Sequence, residues 1–273
     1  MTQAAALDRA TESLLAFWAE AGVDAMLLDT PIDRIEAGKF VAPKPAEKTQ
    51  IVAAPPVARA NAAAPDIAAA VLEARRLAAE SPTLEALKEA ISAFDGCPLK
   101  FEGARQAVFG RGAADAPLVV IGEGPGAEED ARGEPFVGRA GQLLDKMLAA
   151  AGLTGRVFIT NTVFWRPPGN RTPSAQEQLV CQPFVERAIE LISPRMLLLV
   201  GAPSAKSMLK RDEGILSLRG RWFEWRSEDE KLELPAMPTL HPAFLLRQPG
   251  AKKKAWSDLL TLTERLDRPD RGA

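Results

Sequence analysis

Short apolar runs alternating with stretches of helical period organise the chain from residue 117 onward. Leu118-Val119-Val120-Ile121, Val157-Phe158-Ile159-Thr160 and Met196-Leu197-Leu198-Leu199-Val200 are apolar on both faces, and Ala236-Met237-Pro238-Thr239-Leu240 is a weaker fourth. Helical stretches fall between them at about 138–151, 174–192 and 203–210. Strands apolar on both faces and separated by helices predict a parallel sheet covered on both sides. A β-hairpin near 219–235, carrying Trp222, Phe223 and Trp225, interrupts the last crossover. Upstream, residues 66–93 read as two helical pieces broken at Ser81-Pro82, with Ser81 as the cap of the second piece and Glu85 in its first turn. Leu7, Leu14, Leu15, Phe17, Trp18 and Leu27 recur near helical spacing and predict an amphipathic helix over 7–28. Residues 38–66, with Pro43, Pro45, Pro55, Pro56 and Pro65 and no hydrophobic period, read as an extended linker. The expected organisation is an N-terminal helical extension (1–37), a disordered Pro/Ala-rich linker (38–66) and a folded domain (67–267).

Composition narrows the function classes. The 273 residues amount to one or two domains at about 150 residues each. A net charge of -2 excludes a globally basic nucleic-acid binder and an acidic tail. No apolar run reaches the length of a membrane span, and Met1–Trp18 lacks the basic and apolar regions of a signal peptide, so a cytoplasmic protein is the expectation. Two cysteines, Cys97 and Cys181, exclude a disulfide scaffold and point to a reducing compartment. The single histidine, His241, excludes a multi-histidine metal site, and the absence of tyrosine excludes tyrosine chemistry.

Each apolar run delivers an unusual turn at its carboxyl end: Gly122-Glu123-Gly124-Pro125-Gly126, Asn161, Gly201, and His241-Pro242. Ligand sites of open parallel sheets form at the carboxyl ends of strands, so Glu123, Asn161 and His241 are expected to converge on one cleft. Residues 122–127 match the dinucleotide fingerprint formally, but Glu128, Glu129 and Asp130 stand at the helix start, where they would repel a pyrophosphate. A tight strand-to-helix turn explains the same glycines. Phe136, in the loop 133–141, is either a stacking platform or a core phenylalanine. Two segments without carboxylates, 156–176 with Arg156, Arg166 and Arg171, and 234–257 with Arg247, Lys252, Lys253 and Lys254, are solvated faces taken singly. If both flank one cleft they form the local positive face that phosphate binding requires.

The segments GEGPGAEED, PFVGRAGQLL, NTVFWRPPGNRTP and TLHPAFLLR, in that order and spacing, resemble the family 4 uracil-DNA glycosylases over about residues 94–262. The resemblance implies a three-layer α/β/α sandwich around a central parallel four-stranded sheet, and hydrolysis of the bond between uracil and deoxyribose in DNA. It implies that Asn161 reads the uracil edge, Phe136 stacks on the flipped base, and Glu123 and Gly124 line the pocket. His241 faces uracil O2, where charge develops in the transition state. Other uracil glycosylase families place a catalytic Asp where Gly124 stands. Glu129 and Asn170 match polar residues implicated in catalysis, with Glu129 the candidate for orienting water or stabilising the sugar cation. Leu245 and Leu246 support the flipped-out state, and Arg171 and Arg247 belong to the DNA-binding surface. No lysine occupies a nucleophile position, so a monofunctional enzyme is expected.

One departure is large. The family holds a [4Fe–4S] cluster through four cysteines; Cys97 and Cys181 match the second and fourth, whereas Phe94 and Trp165 stand at the first and third. The expectation is no cofactor, with the two rings filling the cluster's volume. The expected partner is uracil-containing DNA, bound by a monomer without membrane association. The N-terminal helix is left either for a protein partner or for packing within the chain. Two competing classes are a weakened DNA-binding or scaffold protein that keeps the glycosylase fold, and a nucleotide-cofactor enzyme, the latter disfavoured by the acidic helix start.

Overall fold

The computed structural model describes residues 66–268; the helix expected over 7–28, and the expected linker apart from Asp66, lie outside these residues. The first described helix, α1 (Ile67–Glu80), starts at Asp66, whose side chain accepts the Ala69 N–H at 3.1 Å. Helix α2 (Leu84–Ala93) is capped by Thr83, whose hydroxyl accepts the Ala86 N–H at 3.2 Å. Ser81, expected to cap α2, terminates α1 instead. Its N–H returns to Ala78 O and its hydroxyl to Leu77 O, so both groups are committed to the preceding helix and Thr83 takes the cap.

The sheet has six strands: β1 (Gly110–Gly112), β2 (Leu118–Gly122), β3 (Val157–Asn161), β4 (Met196–Val200), β5 (Phe223–Arg226) and β6 (Glu233–Thr239). Their order is β1-β3-β2-β4-β6-β5. The four inner strands are parallel, as the apolar runs predict, and β1 and β5 add an antiparallel edge on each side. The expected hairpin is therefore shifted: its second arm is the last core strand itself, and β5 pairs with the first half of β6 from Phe223↔Ala236 to Arg226↔Glu233. β1 has no apolar run because its sequence is Gly-Arg-Gly. A Cβ on Gly112, at φ +122°, would lie 2.1 Å from the Val157 carbonyl oxygen of β3, so only glycine permits that approach.

The helices are α3 (Ala127–Arg132), α4 (Arg139–Ala150), α5 (Ala175–Ile192), α6 (Ala202–Leu209), α7 (Ile215–Leu218), α8 (Pro242–Arg247) and α9 (Lys252–Leu266). Alternate residues of β2 face opposite cores. Leu118 and Val120 pack with Leu144 and Leu148 of α4 and Leu259 and Leu262 of α9. Val119 and Ile121 pack with Val180, Phe184 and Ile189 of α5. Helices cover both faces, which makes the three-layer α/β/α sandwich. Among the described residues no helix is long and apolar enough to cross a membrane.

The second of these cores extends beyond the sheet. Phe94, the C-cap of α2, meets Phe184 edge-on with centroids 5.2 Å apart and lies 6.5 Å from Trp165; Trp165 in turn is T-shaped on Phe164. Trp165 and Phe164 are fully buried. This aromatic cluster joins the loop after β3 to α2 and α5. Replacing Trp165 by Ala should reduce the unfolding free energy by about 3–5 kcal/mol, the usual loss for a large buried aromatic. Urea unfolding reads it, and a loss below about 1 kcal/mol would show that the cluster does not hold this loop.

Candidate active site

Gly122 and Asn161 are direct neighbours at the carboxyl ends of β2 and β3. A Cβ on Gly122 would lie 2.4 Å from Asn161 Oδ1 and 2.5 Å from Phe136 Cζ, so the missing side chain is what lets both groups meet over the strand end. Asn161 is 1% exposed, and its Oδ1 is the buried side-chain oxygen without a hydrogen-bond partner among the described residues. An unpaired buried oxygen is destabilising by about 1–3 kcal/mol, and it lines a cleft rather than a closed core.

Phe136 is held above it in a backbone conformation that a large side chain rarely takes, at φ +54°. Arg111 of β1 maintains it, donating from Nε to Pro135 O at 2.9 Å and from Nη2 to Phe136 O at 3.2 Å. Gly141 of α4 gives the room: a Cβ there would fall 1.8 Å from the Phe136 carbonyl oxygen. Sequence reasoning missed both Arg111 and Gly141. Gly141, in the midst of a strong helical pattern, was the available signal; nothing in the sequence marked Arg111.

Glu129, in the first turn of α3, binds two loops together. Its Oε2 accepts the Gly126 N–H at 3.1 Å, and its Oε1 accepts the Val137 and Gly138 N–H groups at 3.0 and 2.9 Å. The carboxylate thus fastens the glycine-rich turn to the loop bearing Phe136. Glu123 differs: its half-buried side chain lines the cleft with no hydrogen-bond or ion-pair partner among the described residues. Gly124, beside it, has no space for a side chain, since a Cβ would sit 2.9 Å from Val163 Cγ2.

His241 caps α8, its Nδ1 accepting the Ala243 N–H at 3.1 Å. That bond places the ring proton on Nε2. Burial, with the Arg247 charge adding and Glu129 opposing, pushes the His241 pKa down to about 4, so the neutral ring is the form present near pH 7. Its ring lies 5.8 Å from that of Phe136. The side chain rests against Gly201, at φ +95°, where a Cβ would approach His241 Cβ to 3.1 Å. Two residues earlier, Thr239 Oγ1 donates to Asp258 at 2.7 Å, and Arg219 pairs with the same buried carboxylate. This anchor of the β6 end was also missed.

These groups enclose a cleft of about 590 Å³, within the range of ligand pockets. Glu123, Glu129, Phe136, Asn161, His241 and Arg247 all line it, so the strand ends converge as expected. Asn170 and Arg171 form part of the rim. Asn170, at φ +55°, accepts from Arg166 Nε at 2.6 Å. The Arg171 guanidinium is bound to Glu177 at 2.6 and 2.8 Å and to Glu102 at 3.2 Å. It holds the Glu177 carboxyl below its usual range. The pair Leu245–Leu246 is split: Leu245 is fully buried, whereas Leu246 is 39% exposed. The basic stretches do not both flank the cleft along their whole length. Arg156 lies just before β3, at the opposite end of the sheet, and pairs with Asp267 at 2.6 Å. Lys252, Lys253 and Lys254 are exposed on the first turn of α9 and do not line the cleft.

Residues 109–260, more than half the chain, match the family model described as Uracil DNA glycosylase superfamily. The chain is 39% identical over 182 residues to a type-4 uracil-DNA glycosylase of Pyrobaculum aerophilum, an alignment covering 64% of this chain and 91% of the relative. It is 37% identical to the type-4 enzyme of Thermotoga maritima, covering 60% and 83%, and 35% identical to that of Sulfurisphaera tokodaii, covering 69% and 87%. The chain belongs to the type-4 uracil-DNA glycosylases.

The four-thiolate cluster associated with type-4 uracil-DNA glycosylases does not fit the residues present here. Cys97 and Cys181 are free, fully buried and 4.0 Å apart at sulfur, and burial pushes the Cys181 thiol well up. Phe94 and Trp165 occupy the other two positions with ring carbons, which cannot ligate iron. Among the described residues no group of three or more His, Cys, Asp or Glu side chains is placed to hold a metal ion.

As the single histidine, His241 can be titrated cleanly by NMR. Its Cε1–H shift should stay at the neutral value from pH 8 to about 5 and move with a midpoint near 4. Between pH 4 and 6.5 the unfolded chain binds more protons at this site, so its contribution to stability should fall as pH falls through that window. A midpoint at or above 6.5 would contradict the buried, Nδ1-accepting ring.

Proposed function

We propose that this chain removes uracil from DNA by hydrolysing the N-glycosidic bond, leaving an intact abasic strand. The observation that carries the reading is the unpaired Asn161 Oδ1, buried under Phe136 in the cleft that His241 also lines. Uracil presents an N3–H donor beside the O4 acceptor. An amide carbonyl oxygen and amino group are complementary to that pair, and uracil N3–H supplies the hydrogen bond that Oδ1 lacks. The ring of Phe136 gives the extruded base a stacking face.

Bond cleavage leaves the electron pair of the C1′–N1 bond on the base, with charge on O2, and a cationic sugar. The neutral His241 donates Nε2–H toward O2; its fixed orientation stabilises the developing anion without reorganisation. Water completes the reaction by adding its oxygen to C1′, and the proton it loses neutralises the departing uracil anion. Glu123, whose carboxylate has no hydrogen-bond or ion-pair partner among the described residues, orients that water and faces the sugar cation in this reading. Glu129 is a positioning residue in this account, because three backbone N–H groups already occupy its oxygens. Asn170 forms part of the cleft wall and keeps Arg166 beside it. Arg247 and the exposed Leu246 face DNA, as a phosphate contact and as the side chain entering the vacated stack, with Leu245 anchoring their helix from below. No lysine among the described residues lines the cleft, which supports hydrolysis without strand cleavage. The reading includes loss of the family's cluster, supported by the ring-filled positions beside Cys97 and Cys181.

Asn161→Asp should lower single-turnover uracil release by at least about 10³, since a site built around a hydrogen-bonded edge discriminates strongly. A protonated carboxyl there can donate to cytosine N3 and accept from its amino group, so some cytosine release should appear. Unchanged uracil release in this variant would remove Asn161 from base recognition. His241→Ala should lose about 10²–10³ in the same rate with little change in DNA affinity. Exhaustive chelation should leave wild-type activity intact, and stoichiometric iron in anaerobically prepared protein would contradict cluster loss.

A further inference from the structure

A second cleft, of about 500 Å³, shares no lining residue with the active site and takes no part in the chemistry described above. Lys88, Arg105 and Arg132 line it, all exposed and none ion-paired to a carboxylate of the described residues. Lys100 also lines it but is committed to Asp95 and to the Ser92 and Phe94 carbonyls. Phe101 stands in the wall with 68% of its surface exposed, high for an aromatic ring on a structured segment. Glu134 is the carboxylate that lines this cleft.

The two clefts are connected through the chain. Helix α3 begins at the active-site turn and ends at Arg132, and its six residues span about 9 Å. That is about two to three nucleotide steps at the rise of a stacked strand, and fewer for an extended one. Between the clefts, Arg171 of the active-site rim pairs with Glu102, the residue after Phe101. Unpaired cations along a groove with an exposed aromatic ring in its wall are what a single nucleic-acid strand requires: phosphates neutralised in sequence and a base free to stack. A duplex keeps its bases stacked on each other and makes no use of the ring.

Resting on the glycosylase reading, we propose that this second cleft binds the single-stranded continuation of the uracil-bearing strand. Lys88, Arg105 and Arg132 contact its phosphates, and Phe101 stacks on an unpaired base. The cleft makes unpaired DNA the preferred substrate.

The test uses the full chain and oligonucleotides with one abasic site for binding, or one uracil for turnover, as single strands and as duplexes. Lys88→Ala/Arg105→Ala/Arg132→Ala should weaken single-strand binding by about tenfold or more and reduce the salt slope by about two, because each lost phosphate contact on a single strand removes about 0.7. Phe101→Ala should weaken single-strand binding by about fivefold or more with its salt slope unchanged and duplex binding little affected. Saturating single-turnover uracil release should remain within about twofold, since the cleft binds and does not react. Should the triple variant fail to fold, Arg132→Ala alone reads one phosphate contact by the same slope. Unchanged affinity and slope, with uracil still released by the wild type, would overturn the second cleft and leave the glycosylase reading standing. Equal losses on duplex and single strand from Phe101→Ala would overturn the stacking role. A wild type that releases no uracil, yet loses salt slope in the triple variant, would instead overturn the glycosylase reading alone.

Discussion

The architecture of the site depends on one constraint: an amide oxygen must be buried at a strand end and left without a protein partner. Asn161 Oδ1 satisfies it because Gly122, its neighbour across β2 and β3, has no side chain. Any larger residue at 122 would push Asn161 and Phe136 apart. The destabilisation is of the order of one lost hydrogen bond, modest beside the apolar strands on either side. In the proposed reading a base edge bound there replaces it, so the energy withheld from folding becomes binding energy for the correct ligand.

The surrounding structure serves that arrangement at successive distances. Phe136 caps Asn161 only in a left-handed conformation, which Arg111 and Gly141 maintain from β1 and α4. Glu129 joins the Phe136 loop to the glycine-rich turn through three backbone hydrogen bonds. His241 has its tautomer set by the Ala243 N–H and its strand end anchored by Asp258. Loops from four strands thus meet with little freedom, which is what electrostatic preorganisation requires. Beyond the end of β3, the buried rings of Phe94, Phe164 and Trp165 hold the loop that carries Asn170 and Arg171.

The inner strands were legible because both of their faces are buried and their residues are correspondingly apolar throughout. The convergence of Glu123, Asn161 and His241 followed from the same runs, since strand ends in a parallel sheet share one edge. Other features carried no local signal. β1 is Gly-Arg-Gly, selected by a close approach to β3 rather than by hydrophobicity. The Thr83 cap and the Ser81 terminus turn on which backbone groups each hydroxyl reaches, and both residues are good caps by type. Arg156 reads as part of a basic face in sequence, but it precedes its strand and so lies at the wrong end of the sheet. The role of Glu129 depends on two loops that only the fold brings together. The exposed Phe101 and the unpaired cations near it come from three separate segments, and nothing in their spacing predicts a groove.

The central claim is a hydrolytic step on one base with the strand left whole. Quantifying free uracil and abasic sites together, after incubating the protein with uracil-containing DNA, tests it most directly. The account predicts equal amounts of the two, no strand breaks before alkaline treatment, and no release from the same sequence with thymine in place of uracil. DNA bound without release of base, or strand breaks appearing in step with uracil, would contradict it.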